Sequence, residues 1–137
     1  MTDPAARLSE DPLEWVLRKF TEDTPGVSAA LVATGDGLLK SLHPPLAEAD
    51  TLSAAFSGLH SLARQTGALC FNTTGYQAIC IDTTNGVLLL VSIPGGNGFL
   101  TALAEPRADT GAIGYAMTRL TAQLPEHLGT AARRAGP

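Results

Sequence analysis

The pair Asn85-Gly86, set between the β-rich runs Tyr76–Thr83 and Val87–Ile93, constrains this chain more than any other feature. Asn-Gly supplies the positive φ of a tight hairpin turn, and so short a turn forces its two strands to pair antiparallel. Tyr76–Thr83 alternates, with Ile79 and Ile81 on one face and Tyr76, Ala78 and Cys80 on the other. Val87–Ile93 is apolar on both faces, the pattern of a strand inside a sheet. A second tight turn, Thr34-Gly35-Asp36-Gly37, joins Val27–Thr34 to Leu38–His43. Pro94–Gly98 then leads into a last strand, Phe99–Ala104.

Helical spacing marks three further segments. Asp11 can N-cap, Pro12 suits the first helical position, and Glu14 stands where a capping box places it. Leu13, Val16, Leu17 and Phe20 follow at i, i+3, i+4 and i+7, and Thr24-Pro25-Gly26 ends that helix. Leu46–Thr66 carries Leu52, Phe56, Leu59 and Ala63 on one stripe, with Glu48 and Asp50 at its start and Gly67 at its end. Asp109–His127 carries Ile113, Met117, Leu120 and Leu124, with Pro125 expected to end or kink it. The order is α-β-β-α-β-β-β-α, and helices must cover the sheet faces to close one core, an α/β sandwich. Residues 1–10 and 129–137 read as loose tails around a single domain at 11–128.

Composition excludes several function classes. With 45% hydrophobic residues among 137, the chain can bury a core and does not read as disordered. A net charge of −4 and scattered Lys and Arg argue against nucleic acid. Met1–Asp11 carries acids and no apolar signal core, and Val87–Val91 is far too short to span a membrane, so a cytoplasmic protein is expected, with membrane contact only through a partner. Cys70 and Cys80 are no disulfide framework and are expected to be free and buried.

No catalytic constellation emerges. Pro94-Gly95-Gly96-Asn97-Gly98 has the glycines of a phosphate loop but leads into a strand and offers no lysine. Asp36 lacks the further oxygen ligands of a calcium loop. Neither Cys70 nor Cys80 has a local context pairing it with His43, His60 or His127, and zinc spacings are absent. No cofactor is expected, and the chain does not read as an enzyme.

Two features point to association. Ala54, Ala55, Ser57, Gly58 and Ser61 give the middle helix a second face of small residues. They suit either another helix or tight contact with the chain's own sheet. The strand Tyr76–Thr83 has one hairpin partner, which leaves its other side open, and no Lys or Pro within it guards that edge. The expected dimer interface is Ala54, Ala55, Gly58, Ser61, Leu62, Tyr76, Ala78 and Cys80. Trp15, off the first helix's stripe, reads as packing along its own flank in preference to anchoring a partner.

These segments resemble a known family. Pro25-Gly26-Val27, Ala29-Ala30-Leu31-Val32 and Gly35-Asp36-Gly37 are similar to the P-G-V…S-x-D-G signature of bacterial roadblock (dynein light chain) domains. Ser57-Gly58-Leu59-His60-Ser61-Leu62-Ala63 is similar to the second helix of actinobacterial members, and Leu100–Ala104 with Asp109–Met117 fits the family's end. The likeness covers about residues 11–127. It departs at Ala33-Thr34-Gly35, where relatives place a serine, and in the polar stretch Phe71–Gly75. The resemblance implies a roadblock, profilin-like fold: a five-stranded antiparallel sheet with one helix on one face and two on the other. It also implies a homodimer through the middle helix and third strand. The implied partner is a Ras-like small GTPase, with a sensor-kinase-like protein encoded nearby, and members neither hold a cofactor nor hydrolyse nucleotide themselves.

The alternative reading is a PAS-like module sensing a small molecule. Such pockets need convergent polar groups, and the sequence offers few buried-looking ones. Of the arginines, Arg64 and Arg119 match a GTPase finger only by residue type.

Overall fold

The computed structural model describes residues 11–135. Among them the order is α1 (Pro12–Asp23), β1 (Val27–Thr34), β2 (Leu39–His43), α2 (Ala49–Phe71), β3 (Ile79–Thr83), β4 (Gly86–Ser92), β5 (Gly98–Ala104) and α3 (Thr110–Ala135). The five strands form one antiparallel sheet in the order β2-β1-β5-β4-β3. The last strand in sequence is therefore the central one, and it joins the two hairpins. Helix α2 lies alone on one face, while α1 covers β1 and β2 and α3 covers β4 and β5 on the other.

Period-two alternation sorts the sheet's side chains into two cores. Leu17, Val32, Leu100, Ile113 and Met117 are fully buried in the layer beneath α1 and α3. Leu31, Leu90 and Phe99 point the other way and pack under Phe56 of α2. The helical stripes read from the sequence are the faces that meet the sheet, because an amphipathic helix is stabilised by burying its apolar side.

Thr101 is the exception in this pattern. It pairs with Leu31 and Leu90, is 1% exposed, and its Oγ1 has no hydrogen-bond partner. Thr101→Val removes a desolvated hydroxyl at nearly constant shape. It should stabilise the fold by about 1 kcal/mol, read as a rise in the urea midpoint at unchanged slope.

Several boundaries differ from the sequence reading, each for a local reason. Asp11 caps α1 through the Glu14 amide at 3.1 Å, but the Glu14 carboxylate does not complete the box. Its Oε2 instead meets His43 Nδ1 at 3.0 Å and ties α1 to β2. Helix α2 passes through Gly67 and stops at Asn72, which adopts φ 54°. A mid-helix glycine costs only about 1 kcal/mol, and asparagine tolerates the left-handed region that closes a helix. Gly67 is needed for another reason: an added Cβ would stand 2.7 Å from the Gly75 carbonyl oxygen.

Strand β3 consequently begins at Ile79, so Tyr76 and Ala78 precede it instead of lying in it. In the β3–β4 hairpin the loop is Thr84-Asn85, and neither residue takes a positive φ. Thr83 Oγ1 organises that turn, accepting from the amides of Asn85 at 3.2 Å and Gly86 at 3.1 Å. Gly86 serves close packing, since its Cβ would be 3.0 Å from the Ala104 carbonyl oxygen. Helix α3 continues past Pro125 to Ala135, so the proline does not end it and residues 129–135 are helical where a loose tail is expected. The tail expected at 1–10, and residues 136–137, lie outside the described residues.

Candidate functional site

Helix α2 presents three kinds of face. Leu52, Phe56 and Leu59 go down onto the sheet. Beside them runs a polar row at i, i+4, i+7 and i+11: Ser53, Ser57, His60 and Arg64. Each member bonds to a turn at the sheet's end. Ser53 Oγ donates to the Gly37 carbonyl at 2.9 Å, and Ser57 Oγ to that of Gly35. Ser57 is thus buried against the β1–β2 turn and does not belong to the small-residue face expected of it. The third face is outward. Ala54, Ala55, Gly58, Ser61 and Leu62 are all exposed, and a Cβ added at Gly58 would meet nothing within 4 Å. Farther along the helix, Leu69 and Phe71 are 87% and 80% exposed.

The edge strand β3 lies at the outer end of the sheet, as its single hairpin suggests. Ile79 and Ile81 are on the α2 side, opposite Leu90 and Leu88. Ala78 and Cys80 line a groove of about 360 Å³ on the other side, against Tyr115 and Thr118 of α3. Tyr76 departs from the expected set: it packs inward against the α2 core, and its hydroxyl is turned toward His60. Both cysteines are free and exposed, against the expectation of burial. Cys70 stands on the last turn of α2 and Cys80 on the open edge, places that the core does not cover. Trp15 is 47% exposed, so its own helix flank covers it only in part.

The sequence reading missed the node around His60. The imidazole is 2% exposed, tilted on the Phe99 ring and edge-on to Tyr76. Its Nδ1 lies 2.6 Å from the Tyr76 hydroxyl and its Nε2 3.1 Å from Asn97 Oδ1. Arg64 Nη1 donates to the same oxygen at 2.7 Å. Asn97 also accepts the Gly35 amide on its main-chain carbonyl. These partners assign the proton. Asn97 Oδ1 accepts from Arg64, so His60 must donate from Nε2, and a neutral ring then accepts from the Tyr76 hydroxyl at Nδ1. Burial raises the Tyr76 pKa far above its ordinary value, so the phenol keeps the proton it donates. A Cβ at Gly35 would fall 2.3 Å from the Asn97 side-chain amide, so a larger residue there would push that amide out of the node. The available signal was the helical spacing of Ser53, Ser57, His60 and Arg64, a polar stripe alongside the apolar one. With Ser53, Ser57, His60 and Tyr76 drawn in, the fold holds more convergent polar groups than the sequence suggests.

Burial lowers the His60 pKa below 6.5, the Arg64 charge pushes the same way, and the Asn97 acceptor opposes them. As pH falls, the unfolded chain takes up this proton before the folded one. The contribution is present above the ordinary imidazole pKa and lost on acidification through the folded pKa. The thermal midpoint should therefore fall between about pH 7 and about pH 5, and fall less in His60→Phe, which keeps a ring but cannot charge. Equal pH dependence in the two proteins would refute this assignment.

His60 has neither Cys70 nor Cys80 among its hydrogen-bond partners, and His43 is engaged by Glu14. Among the described residues, no three His, Cys, Asp or Glu side chains are grouped to hold a metal ion. No helix among them is long and apolar enough to cross a membrane.

A five-stranded antiparallel sheet with one helix on one face and two on the other defines the roadblock and profilin-like class of α/β sandwich. The family model of the Roadblock/LC7 domain matches residues 13–104, and the chain belongs to that family. Its structure is similar to the Roadblock/LC7 domain from Streptomyces avermitilis, at 27% identity and a TM-score of 0.78 over 85% of this chain and 97% of that one. Myxococcus xanthus MglB shares the fold at 12% identity, with a TM-score of 0.76 over 87% of this chain and 96% of MglB. Acanthamoeba castellanii profilin IB shares it more distantly, at 13% identity and a TM-score of 0.58 over 83% and 97% of the two chains. No curated protein is matched by the sequence.

Proposed function

We propose that this protein is a non-catalytic, homodimeric partner of a Ras-like small GTPase in a bacterial signalling system, acting in the cytoplasm as a regulator or scaffold. The observation that carries the dimer is the outward face of α2 together with the unpaired edge of β3. The C-terminal half of α2 and the segment just before β3 share one groove of about 750 Å³, lined by Phe71 and Gln77 among others. Leu62, Leu69 and Phe71 of α2 are exposed, as is Ile81 of β3 at 38%, apolar side chains that an interface would take out of water. A second copy would cover it by laying helix on helix and strand on strand. Ala54, Ala55 and Gly58 would let the two helices approach closely, and the Ala78–Cys80 segment would carry the sheet across the two-fold axis. Tyr76 would support that surface from beneath, through His60.

The GTPase part rests on membership of the Roadblock/LC7 family, whose members the sequence resemblance links to Ras-like partners. A sensor-kinase-like protein is a further partner on the same ground, and membrane recruitment would come through such partners. Light scattering on the full chain should give twice the monomer mass. A pull-down with the neighbouring GTPase, loaded with GTP or with GDP, should capture it in one state more than the other. A monomer at micromolar concentration that captures the GTPase in neither state would sink the proposal.

A further inference from the structure

The C-terminal half of α2 and the β4–β5 turn enclose an open cleft of about 480 Å³ to which the GTPase reading gives no role, and of whose lining only Ser61 belongs to the expected dimer face. At its inner end, His60, Arg64 and Asn97 share one point. The His60 Nε2–H and an Arg64 Nη1–H both end on Asn97 Oδ1, at 3.1 and 2.7 Å. Two converging donors, one of them cationic, form the geometry in which an oxyanion binds. An anionic acceptor would make the bond from the neutral His60 ring charge-assisted, roughly twice as strong as a neutral–neutral one, and would pair the Arg64 guanidinium with an opposite charge. The oxygen now at that point belongs to a side chain on the glycine-rich turn Pro94–Gly98. Residues 94–97 of that turn are exposed, and Cβ atoms added at Gly95 or Gly96 would meet nothing within 4 Å.

The surroundings suit an anion. Among the described residues, the cleft's lining carries no carboxylate, and Arg64 is its charged group. At the end of α2 the Asn72 and Thr73 amides bond back to the Ala68 and Gly67 carbonyls. Hydroxyls of Ser61, Thr73 and Thr74 line the remaining wall.

We propose that this cleft binds a small-molecule oxyanion, a carboxylate or phosphoryl group held by Arg64 and His60, and that Asn97 is the internal acceptor which the ligand displaces. The proposal does not need the GTPase reading. Arg64 and His60 bind, and Asn97 competes.

The test is a titration of the ¹⁵N-labelled full chain with sodium phosphate and, separately, sodium malonate. Sodium chloride at matched ionic strength is the reference. Saturable shifts confined to Gly35, His60, Ser61, Arg64 and Asn97, with either anion and not with chloride, are the expected result. A response to phosphate alone assigns a phosphoryl ligand, and a response to malonate alone a carboxylate. Arg64→Gln, at an exposed position, should weaken binding about tenfold or more, the loss of one charged hydrogen bond. Asn97→Ala should tighten it several-fold by removing the competitor. Equal shifts with chloride, or unchanged binding in Arg64→Gln, would overturn the site. Binding weakened by Asn97→Ala would overturn the displacement.

Discussion

Gly58→Arg is expected to turn a dimer into a monomer while leaving the fold slightly more stable. The two effects separate because the position is open in the single chain, where an added Cβ meets nothing within 4 Å. Replacing a mid-helix glycine by a good helix former gains about 1 kcal/mol. Across a helix-on-helix contact the same side chain would strand a guanidinium among apolar groups. An unpaired buried charge costs several kcal/mol, so the dimer should weaken by about a hundredfold or more. Sedimentation velocity reads the mass, and a denaturant curve on the monomer reads the small gain. Ala78→Asp, placed before the open edge, should act in the same direction. If both variants stay dimeric with unchanged stability, the interface is elsewhere.

The second large effect is expected at His60. His60→Ala removes a ring packed on Phe99 and leaves the Tyr76 hydroxyl without its acceptor. It also frees Asn97 from one of its two side-chain donors. A cavity plus a stranded buried hydroxyl should cost about 3 kcal/mol, read as a lower urea midpoint. Amides in the segment from Asn72 to Ala78 should lose hydrogen-exchange protection beyond the global change, since Tyr76 anchors that segment to α2 through this ring. A loss below about 1 kcal/mol would show that the node is not a structural clamp.

The sheet and its helices were legible because they are written in local periods. Leu13, Val16, Leu17 and Phe20 repeat at 3.6 residues, and Ile113, Met117 and Leu124 do the same, so each stripe could be placed before any tertiary contact was known. Short turns likewise made the pairings antiparallel. What could not be read locally was where elements stop. Gly67 looks like a terminator, yet α2 runs on through Phe71 and ends where Asn72 takes the left-handed position. Asn85-Gly86 looks like a positive-φ turn, yet Thr83 supplies the hydrogen bonds and Gly86 answers to the Ala104 carbonyl 18 positions on.

The candidate sites divide along the same line. Exposure of Ala54, Ala55, Gly58, Ser61 and Leu62 followed from the helix period once the apolar stripe was assigned to the sheet. Tyr76 did not follow, because its alternation presumed a strand that begins only at Ile79. Gly35, His60, Arg64, Tyr76 and Asn97 come from a hairpin turn, a helix, the segment before β3 and a second turn. Helical spacing joins His60 to Arg64, but nothing in the sequence spacing brings Gly35, Tyr76 and Asn97 to them.

By itself, then, the hairpin pair Asn85-Gly86 and its flanking runs determined an antiparallel sheet, and the helical stripes determined which faces it would bury. Strand order, with β5 at the centre, was decided only by the tertiary structure, since non-local pairing leaves no local period to read. The His60 node was decided there too. Burial changes what a histidine, an arginine and an asparagine do to one another, and burial is a property of the packed fold.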